Sequence, residues 1–224
     1  MSEIAFAQPF VSARKTVRAH AADETLTTAL NFTVALLALV FLAPIMLCVA
    51  LAVYMQDGGA VVFAHRRIGR HGRHFHCLKF RSMAVDAEAR LQQLLASDPV
   101  ARAEWEKDHK LRNDPRVTRL GAFLRKTSLD ELPQLFNVLR GEMSLVGPRP
   151  IVDGEVAKYG RRFEQYCAVK PGITGLWQVS GRNDTTYRAR VAMDCIYARR
   201  RNVGMDAFII AATVPAVLTR RGSY

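Results

Sequence analysis

Polar and apolar positions divide this chain into one long uncharged run followed by short amphipathic pieces. Residues 25–56 contain no charged side chain, and 31–55 (NFTVALLALVFLAPIMLCVALAVYM) is almost wholly apolar; about 20 such residues cross a bilayer as a helix. After the turn at Asp57-Gly58-Gly59 the pattern shortens. Residues 61–65 and 75–80 read as two strands around a turn at 69–72. This makes a hairpin whose second strand sets Phe75, Cys77, Lys79 and Arg81 on one face. Residues 84–96 read as a helix with Leu91, Leu94 and Leu95 inward. Asp98-Pro99 starts a second, mostly charged helix anchored by Trp105, and 119–126 a third. In 124–150 (LRKTSLDELPQLFNVLRGEMSLVGPRP), Ser128 with Glu131 three residues on fits a capping box. Leu132, Leu135, Phe136 and Leu139 follow helical spacing, Pro133 lies near the start, and Gly141 is placed as the residue after the C-cap. Further helices are expected at 156–166, which carries Arg161 and Arg162, and at 185–200, with Asp194 and Tyr197 one turn apart. Residues 205–218, interrupted by Asp206 and Pro215 and followed by Arg220 and Arg221, fit an interfacial helix or, nearly as well, a core helix.

The expected fold class is therefore mainly α with a small β-hairpin (α+β). A loosely ordered basic segment (1–24) precedes a membrane segment (25–56), and a single domain occupies 57–224. The membrane segment is not a signal peptide: it starts late, its apolar run is too long, and no A-x-A site follows closely. Basic residues favour the cytoplasmic side of a membrane, yet they flank this segment on both sides, with Arg14, Lys15 and Arg18 before it and Arg66, Arg67 and Arg70 after it. Pro44 falls near its middle, where a proline breaks or kinks a helix. A re-entrant, proline-broken helix that returns to the same face satisfies both observations; a kinked spanning helix is the plainer alternative.

Charge adds a partner class. A formal net charge of +12 calls for an anionic one: nucleic acid, anionic lipid or a phosphorylated substrate. The four cysteines (Cys48, Cys77, Cys167, Cys195) show neither disulfide-framework nor metal-site spacing. His65, His71, His74 and His76 cluster with arginines rather than carboxylates and read as part of a basic face.

Candidate chemistry concentrates in one place. Asp130 and Glu131 are adjacent carboxylates flanked by Arg125, Lys126, Arg140 and Arg149. A first helical turn holds them as anions and leaves room for a phosphate. Capping alone would explain an acidic first turn, but the turn-rich VGPRP and the flanking arginines favour a site. Lys79 and Arg81 are candidates for phosphate contact, against the plain reading of solvated strand-edge charges. In 169–183 three glycines, two hydroxyl residues, Lys170 and Arg182 make a loop whose N–H groups suit a phosphate.

Several motifs together carry a family resemblance. They are the proline-containing apolar segment, Arg67-Ile68-Gly69, Lys79-Phe80-Arg81-Ser82-Met83, Asp114-Pro115-Arg116-Val117-Thr118, 125–150 and 170–183. With these the chain resembles the bacterial sugar transferase family, the monotopic polyprenyl-phosphate phosphoglycosyl transferases, from about residue 31 onward. The resemblance implies an enzyme on the cytoplasmic face of the bacterial inner membrane. Such an enzyme moves a sugar 1-phosphate from a UDP-sugar to undecaprenyl phosphate and releases UMP. It implies Asp130 as nucleophile beside Mg²⁺, and Lys79, Arg125, Arg149 and Arg182 as phosphate ligands; Glu131 either orients the metal, holds a hydrogen-bond partner, handles a proton or only completes the cap, and a homodimer is a further candidate partner. The family's Ser-Pro at the helix break is Ala43-Pro44 here, and its Gly-Pro before the first strand is Gly59-Ala60. The length of 84–112 resembles the exopolysaccharide-initiating members, which favours a hexose. Two other readings compete. One is an inactive basic membrane scaffold that binds anionic lipid or a partner enzyme, against which the intact dyad and VGPRP speak. The other is a nucleic-acid binder, which leaves the membrane segment unexplained, and nucleic acid is not an expected partner.

Overall fold

The computed structural model describes residues 10–108, 111, 113–181 and 185–218. The chain is mainly helical, as its pattern predicts, with two small sheets. Helix α1 (Phe10–Asp57) runs uninterrupted through Pro44 and begins well inside the segment expected to be loosely ordered. Its Glu24–Asp57 portion is long and apolar enough to cross a membrane. The hairpin pairs β1 (Val62–Ile68) with β2 (His74–Phe80) antiparallel, Val62 opposite Phe80 and Ile68 opposite His74. Both strands are longer than alternation suggested, because backbone pairing continues through the charged stretch Arg66-Arg67, where the side-chain pattern gives no strand signal.

Helices α2 (Ala87–Ser97) and α3 (Pro99–Asp108) follow. Asp98 Oδ1 accepts the N–H groups of Val100 and Ala101, the expected cap. Next come α4 (Arg119–Thr127) and α5 (Gln134–Leu139), then β3 (Ser144–Val146). The helix expected over 156–166 is split at Gly160 into α6 (Val156–Tyr159) and α7 (Phe163–Cys167). The glycine-rich stretch holds β4 (Gly172–Thr174), parallel to β3, and α8 (Leu176–Val179). This two-strand pair was not legible in sequence, since three-residue strands show no alternation to read. Helices α9 (Tyr187–Arg200) and α10 (Val203–Leu218) complete the described chain.

One stripe of α1 lies along the domain over its whole apolar length. Asn31 donates to Ser144 Oγ (2.8 Å) and accepts from the Leu145 N–H (3.1 Å). Ala35 is buried with Phe75, Cys77, Leu135, Val138 and Met143. Val49 and Val53 are buried with Phe80 and Leu124. The opposite faces expose Leu37, Val40, Phe41, Leu47 and Met55. An apolar surface of that extent on a helix marks a membrane or partner contact.

Candidate active site

The dyad is positioned from three sides. Helix α4 is capped by Thr118, whose Oγ1 accepts the Gly121 N–H at 2.9 Å. It sits directly on the chain after β2: a Cβ at Gly121 would fall 1.8 Å from the Ser82 carbonyl oxygen, so only glycine fits there. This close docking brings Arg125 Nε within 2.9 Å of Ser82 Oγ.

Ser128 does not cap a helix. It ends α4 in the left-handed conformation (φ 58°), and its side chain makes no cap hydrogen bond. The expected capping box therefore does not form, because the chain must reverse here. The Ser128 carbonyl instead accepts the Glu131 N–H at 3.2 Å, closing a 3₁₀ turn over Leu129–Glu131. Leu129 and Leu132 pack below against the core shared by α1 and β2. Asp130, between them, is 7% exposed. Pro133 then starts α5, a helix of six residues rather than one running from Ser128. Phe136, expected inward, is exposed, and Gln134 and Asn137 are buried instead.

Asn137 explains that inversion. Its Oδ1 accepts the Leu78 N–H (3.0 Å), and its Nδ2 donates to the His76 carbonyl (2.8 Å) and the Glu142 carboxylate (2.6 Å). A satisfied buried amide fixes geometry firmly, and this one fastens α5 to β2 next to Lys79. Sequence reasoning missed it; its one signal was a polar residue among apolar helix positions.

Lys79 Nζ lies 2.5 Å from Glu131 Oε1 and 3.8 Å from Asp130 Oδ2. Burial pushes the Asp130 carboxyl pKa above its usual range; Lys79 and Arg125 pull against this and Glu131 adds to it. The Arg125 guanidinium, also largely buried, has its pKa lowered by desolvation and raised by Asp130. Two adjacent carboxylates, one deprived of water, thus face one lysine and one arginine.

The remaining predicted residues fall elsewhere. Arg81 is turned to the end of α1, where it pairs with Asp57 and donates to the Val53 carbonyl (3.3 Å). Lys126 and Arg140 are exposed. Arg149 is exposed; burial lowers the pKa of the Arg67 and Arg190 guanidinium groups, and the charge of Arg149 lowers both further. Burial raises the pKa of the Cys77 thiol; Lys79, Arg67 and Arg149 act against this and Glu131 adds to it. Arg182 and Asn183 lie outside the described residues.

From sequence, Arg67 figured only as a flank of the membrane segment and in the Arg67-Ile68-Gly69 motif, and Arg190 was not singled out; neither was a phosphate-binding candidate. Arg67 donates to the Pro150 carbonyl at 3.3 Å and sits 3.8 Å from Glu155. Arg190 lies over the Trp177 ring, 4.6 Å from its centroid. Together with Arg149 they make a second group of cations. Nothing in its local pattern set Arg190 apart from the other arginines.

Among the described residues, no three or more His, Cys, Asp or Glu gather as they would for a closed metal site. Mg²⁺ needs less: one or two carboxylates, with phosphate or water oxygens filling the remaining positions. Asp130 and Glu131 fit that requirement, since a cation beside them would relieve the repulsion and desolvation that raise the Asp130 pKa.

The model of the family described as bacterial sugar transferase matches residues 22–220. An uncharacterized sugar transferase of Haemophilus influenzae is 51% identical over 92% of this chain and 44% of its own length. The undecaprenyl-phosphate galactose phosphotransferase of Salmonella typhimurium is 56% identical over 75% of this chain, and the match covers 36% of that relative. The exopolysaccharide production protein ExoY of Sinorhizobium fredii is 50% identical over 85% of this chain and 84% of its own. The chain thus spans less than half the length of the first two and most of the third.

Proposed function

Because the chain belongs to the bacterial sugar transferase family, we propose that it transfers a sugar 1-phosphate from a UDP-sugar to undecaprenyl phosphate. The reaction would begin an exopolysaccharide or a related glycan. The carrying observation is the dyad: Asp130, 7% exposed, lies within 3.8 Å of Lys79 and in the field of Arg125. A hexose is the favoured sugar, in keeping with the galactose in the Salmonella relative's name.

The chemistry proceeds in two displacements. Asp130 Oδ attacks the phosphorus next to the sugar. The bond from that phosphorus to the oxygen bridging to UMP breaks, and UMP leaves with the electron pair. An oxygen of undecaprenyl phosphate then attacks the same phosphorus, the Asp130–phosphorus bond breaks, and the carboxylate is regenerated. A desolvated carboxylate suits this role because less hydration is lost on attack, and an acyl phosphate readily passes its phosphoryl group on. Lys79 and Arg125 offset charge beside the nucleophile, and Arg149 with Arg67 and Arg190 receives the flanking phosphate charge. When bound, Mg²⁺ would neutralise phosphate oxygens next to Asp130 and Glu131. Glu131 holds the Lys79 ammonium in place.

We place the domain on one side of the membrane, its cytoplasmic face. What supports one-sided placement is that α1 is fastened to the domain at both ends of its apolar portion, Glu24 pairing with Arg70 and Asp57 with Arg81; the basic flanks favour the cytoplasmic face. That portion is 34 residues, about 50 Å at 1.5 Å per residue. A straight crossing of a roughly 30 Å hydrocarbon core would separate the two ends across the membrane, and one small hairpin cannot reach both sides. Re-entry with a bend at Pro44, as the basic flanks suggest, keeps both contacts.

The test is UMP release from UDP-galactose and UDP-glucose with undecaprenyl phosphate. Release at a rate that Asp130→Asn lowers by at least 10²-fold is expected, with phosphoglycosyl-protein trapped on the parent when the lipid is omitted. An Asp130→Asn variant as active as the parent would refute the covalent route.

A further inference from the structure

Away from the dyad, three cations from three separate segments converge where the apolar portion of α1 begins. The Glu24 carboxylate pairs with Arg70, at the hairpin turn, and lies 3.9 Å from Arg201, just before α10. Lys170, leading into β4, faces the same place. Burial lowers its ammonium pKa, and Arg70 and Arg201 lower it further, while Glu24 acts in the opposite direction. One carboxylate thus serves three positive charges. A single arginine would balance Glu24, so the cluster carries surplus positive charge. Arg70 Nε is buried with no hydrogen-bond partner. Alongside lies a recess of about 510 Å³ lined by Glu24, Thr25, Thr28, Ala29, Phe32 and Thr33. The cluster is separate from the reaction centre. Arg70 follows the far end of β1, and Lys79 lies five residue steps along β2 from His74, roughly 17 Å at 3.4 Å per step.

The level of this cluster is fixed by its neighbours. It sits where the uncharged portion of α1 starts, and α10, which exposes Phe208, Ile210 and Val214, begins two residues after Arg201. Two apolar elements therefore leave the same cationic patch.

We propose that Arg70, Lys170 and Arg201 form a headgroup site for an anionic phospholipid. The phosphodiester lies among the three cations, the glycerol lies against Thr25 and Thr28, and an acyl chain leaves along Phe32. Surplus cations at the membrane surface attract anionic lipid. The inference rests on the membrane reading of α1 but not on the sugar-transfer chemistry.

The experiment is thermal denaturation of the purified full chain in a neutral detergent, titrated with dioleoyl phosphatidylglycerol, dioleoyl phosphatidylcholine or inorganic phosphate. Phosphatidylglycerol is expected to raise Tm by several degrees beyond phosphatidylcholine, and inorganic phosphate to leave it unchanged. The combined Arg70→Gln, Lys170→Gln and Arg201→Gln variant loses the difference, and the Arg70→Gln, Arg201→Gln double variant still releases UMP. Glu24→Gln removes the competing carboxylate and moves the phosphatidylglycerol midpoint to about tenfold lower lipid, a tenfold gain corresponding to about 1.4 kcal/mol. A purely structural ion pair would give no such opposite response. Should the triple variant not fold, Lys170→Gln and Glu24→Gln carry the same opposed expectation. Equal shifts from the two lipids, a shift that survives in the cation variants, or an equal shift from inorganic phosphate would each overturn the proposal. Sedimentation without detergent checks its premise separately: a chain that stays dispersed and monomeric would overturn the membrane reading itself.

Discussion

At the scale of single residues, the two buried aspartates behave differently from surface carboxylates. Asp130 has its pKa raised chiefly by burial, so its neutral form persists above the ordinary aspartate range, while attack on phosphorus needs the anion. The proposed reaction should therefore gain rate with rising pH across that window. Lys79→Met removes a cation that lowers the pKa, so the acidic limb of kcat/KM should move to higher pH and the rate should fall by about 10²–10³. Glu131→Gln removes a like charge and should move the limb the other way. A pH–rate profile of the three proteins reads both signs.

Asp194 is a matter of stability. It is 1% exposed, accepts the Tyr159 O–H at 2.7 Å, and burial pushes its pKa up to about 7 from an ordinary 3.8. The folded state then binds its proton more tightly than the unfolded chain. Stability is unaffected below the unfolded pKa, falls as pH rises between the two values, and levels off above about 7. The loss is bounded by about 4 kcal/mol at 1.36 kcal/mol per unit. Asp194→Asn keeps an acceptor for Tyr159 and removes the titration. The melting temperature of the parent relative to this variant should therefore drop between pH 5 and pH 8.

At the scale of elements, the turn between α4 and α5 separates what local pattern says from what packing demands. The sequence of 128–131 has every mark of a capping box. Ser128 nevertheless adopts φ 58°, a conformation that costs a non-glycine residue about 1–2 kcal/mol. What outweighs that cost is the burial of Leu129, Leu132 and Leu124 on both sides of the reversal together with the docking of α4 at Ser82. A capping serine and a left-handed serine respond oppositely to glycine. Ser128→Gly should hold or raise the thermal midpoint here, where loss of a cap would lower it, and thermal unfolding distinguishes the two. The inward positions of α5 were misread for a similar reason. Apolar spacing chose Phe136, but the hydrogen bonds of Asn137 to β2 rotate the helix and leave Phe136 outside. Elements whose signal is local (the hairpin, the cap at Asp98, α2, α4 and α9) were legible to within a few residues.

At the scale of the whole molecule, the apolar helix and the domain form one body. Its ion pairs at Glu24 and Asp57, and the hydrogen bonds of Asn31 to Ser144 and Leu145, tie the apolar portion of α1 to the domain. Single cysteines placed beside Arg18 and beside Arg70 should accordingly be labelled from the same side of sealed vesicles. Labelling from opposite sides would contradict one-sided attachment. Phe123, Phe136 and Phe208 of the domain are exposed as well.

The sequence by itself determined the apolar segment, the helical class with its hairpin and the adjacency of Asp130 and Glu131, together with the motifs shared with the family. These are properties of composition, short-range spacing and covalent order, which act over a few residues. Tertiary structure decided which cations attend the dyad. Of the candidates, Lys79 and Arg125 meet it, whereas Arg81 turns to Asp57 and Lys126 and Arg140 stay in solvent. Arg67 and Arg190 join Arg149 from distant parts of the chain. An arginine looks the same in every segment; its field, its solvation and its partner are fixed only when packing brings the segments together.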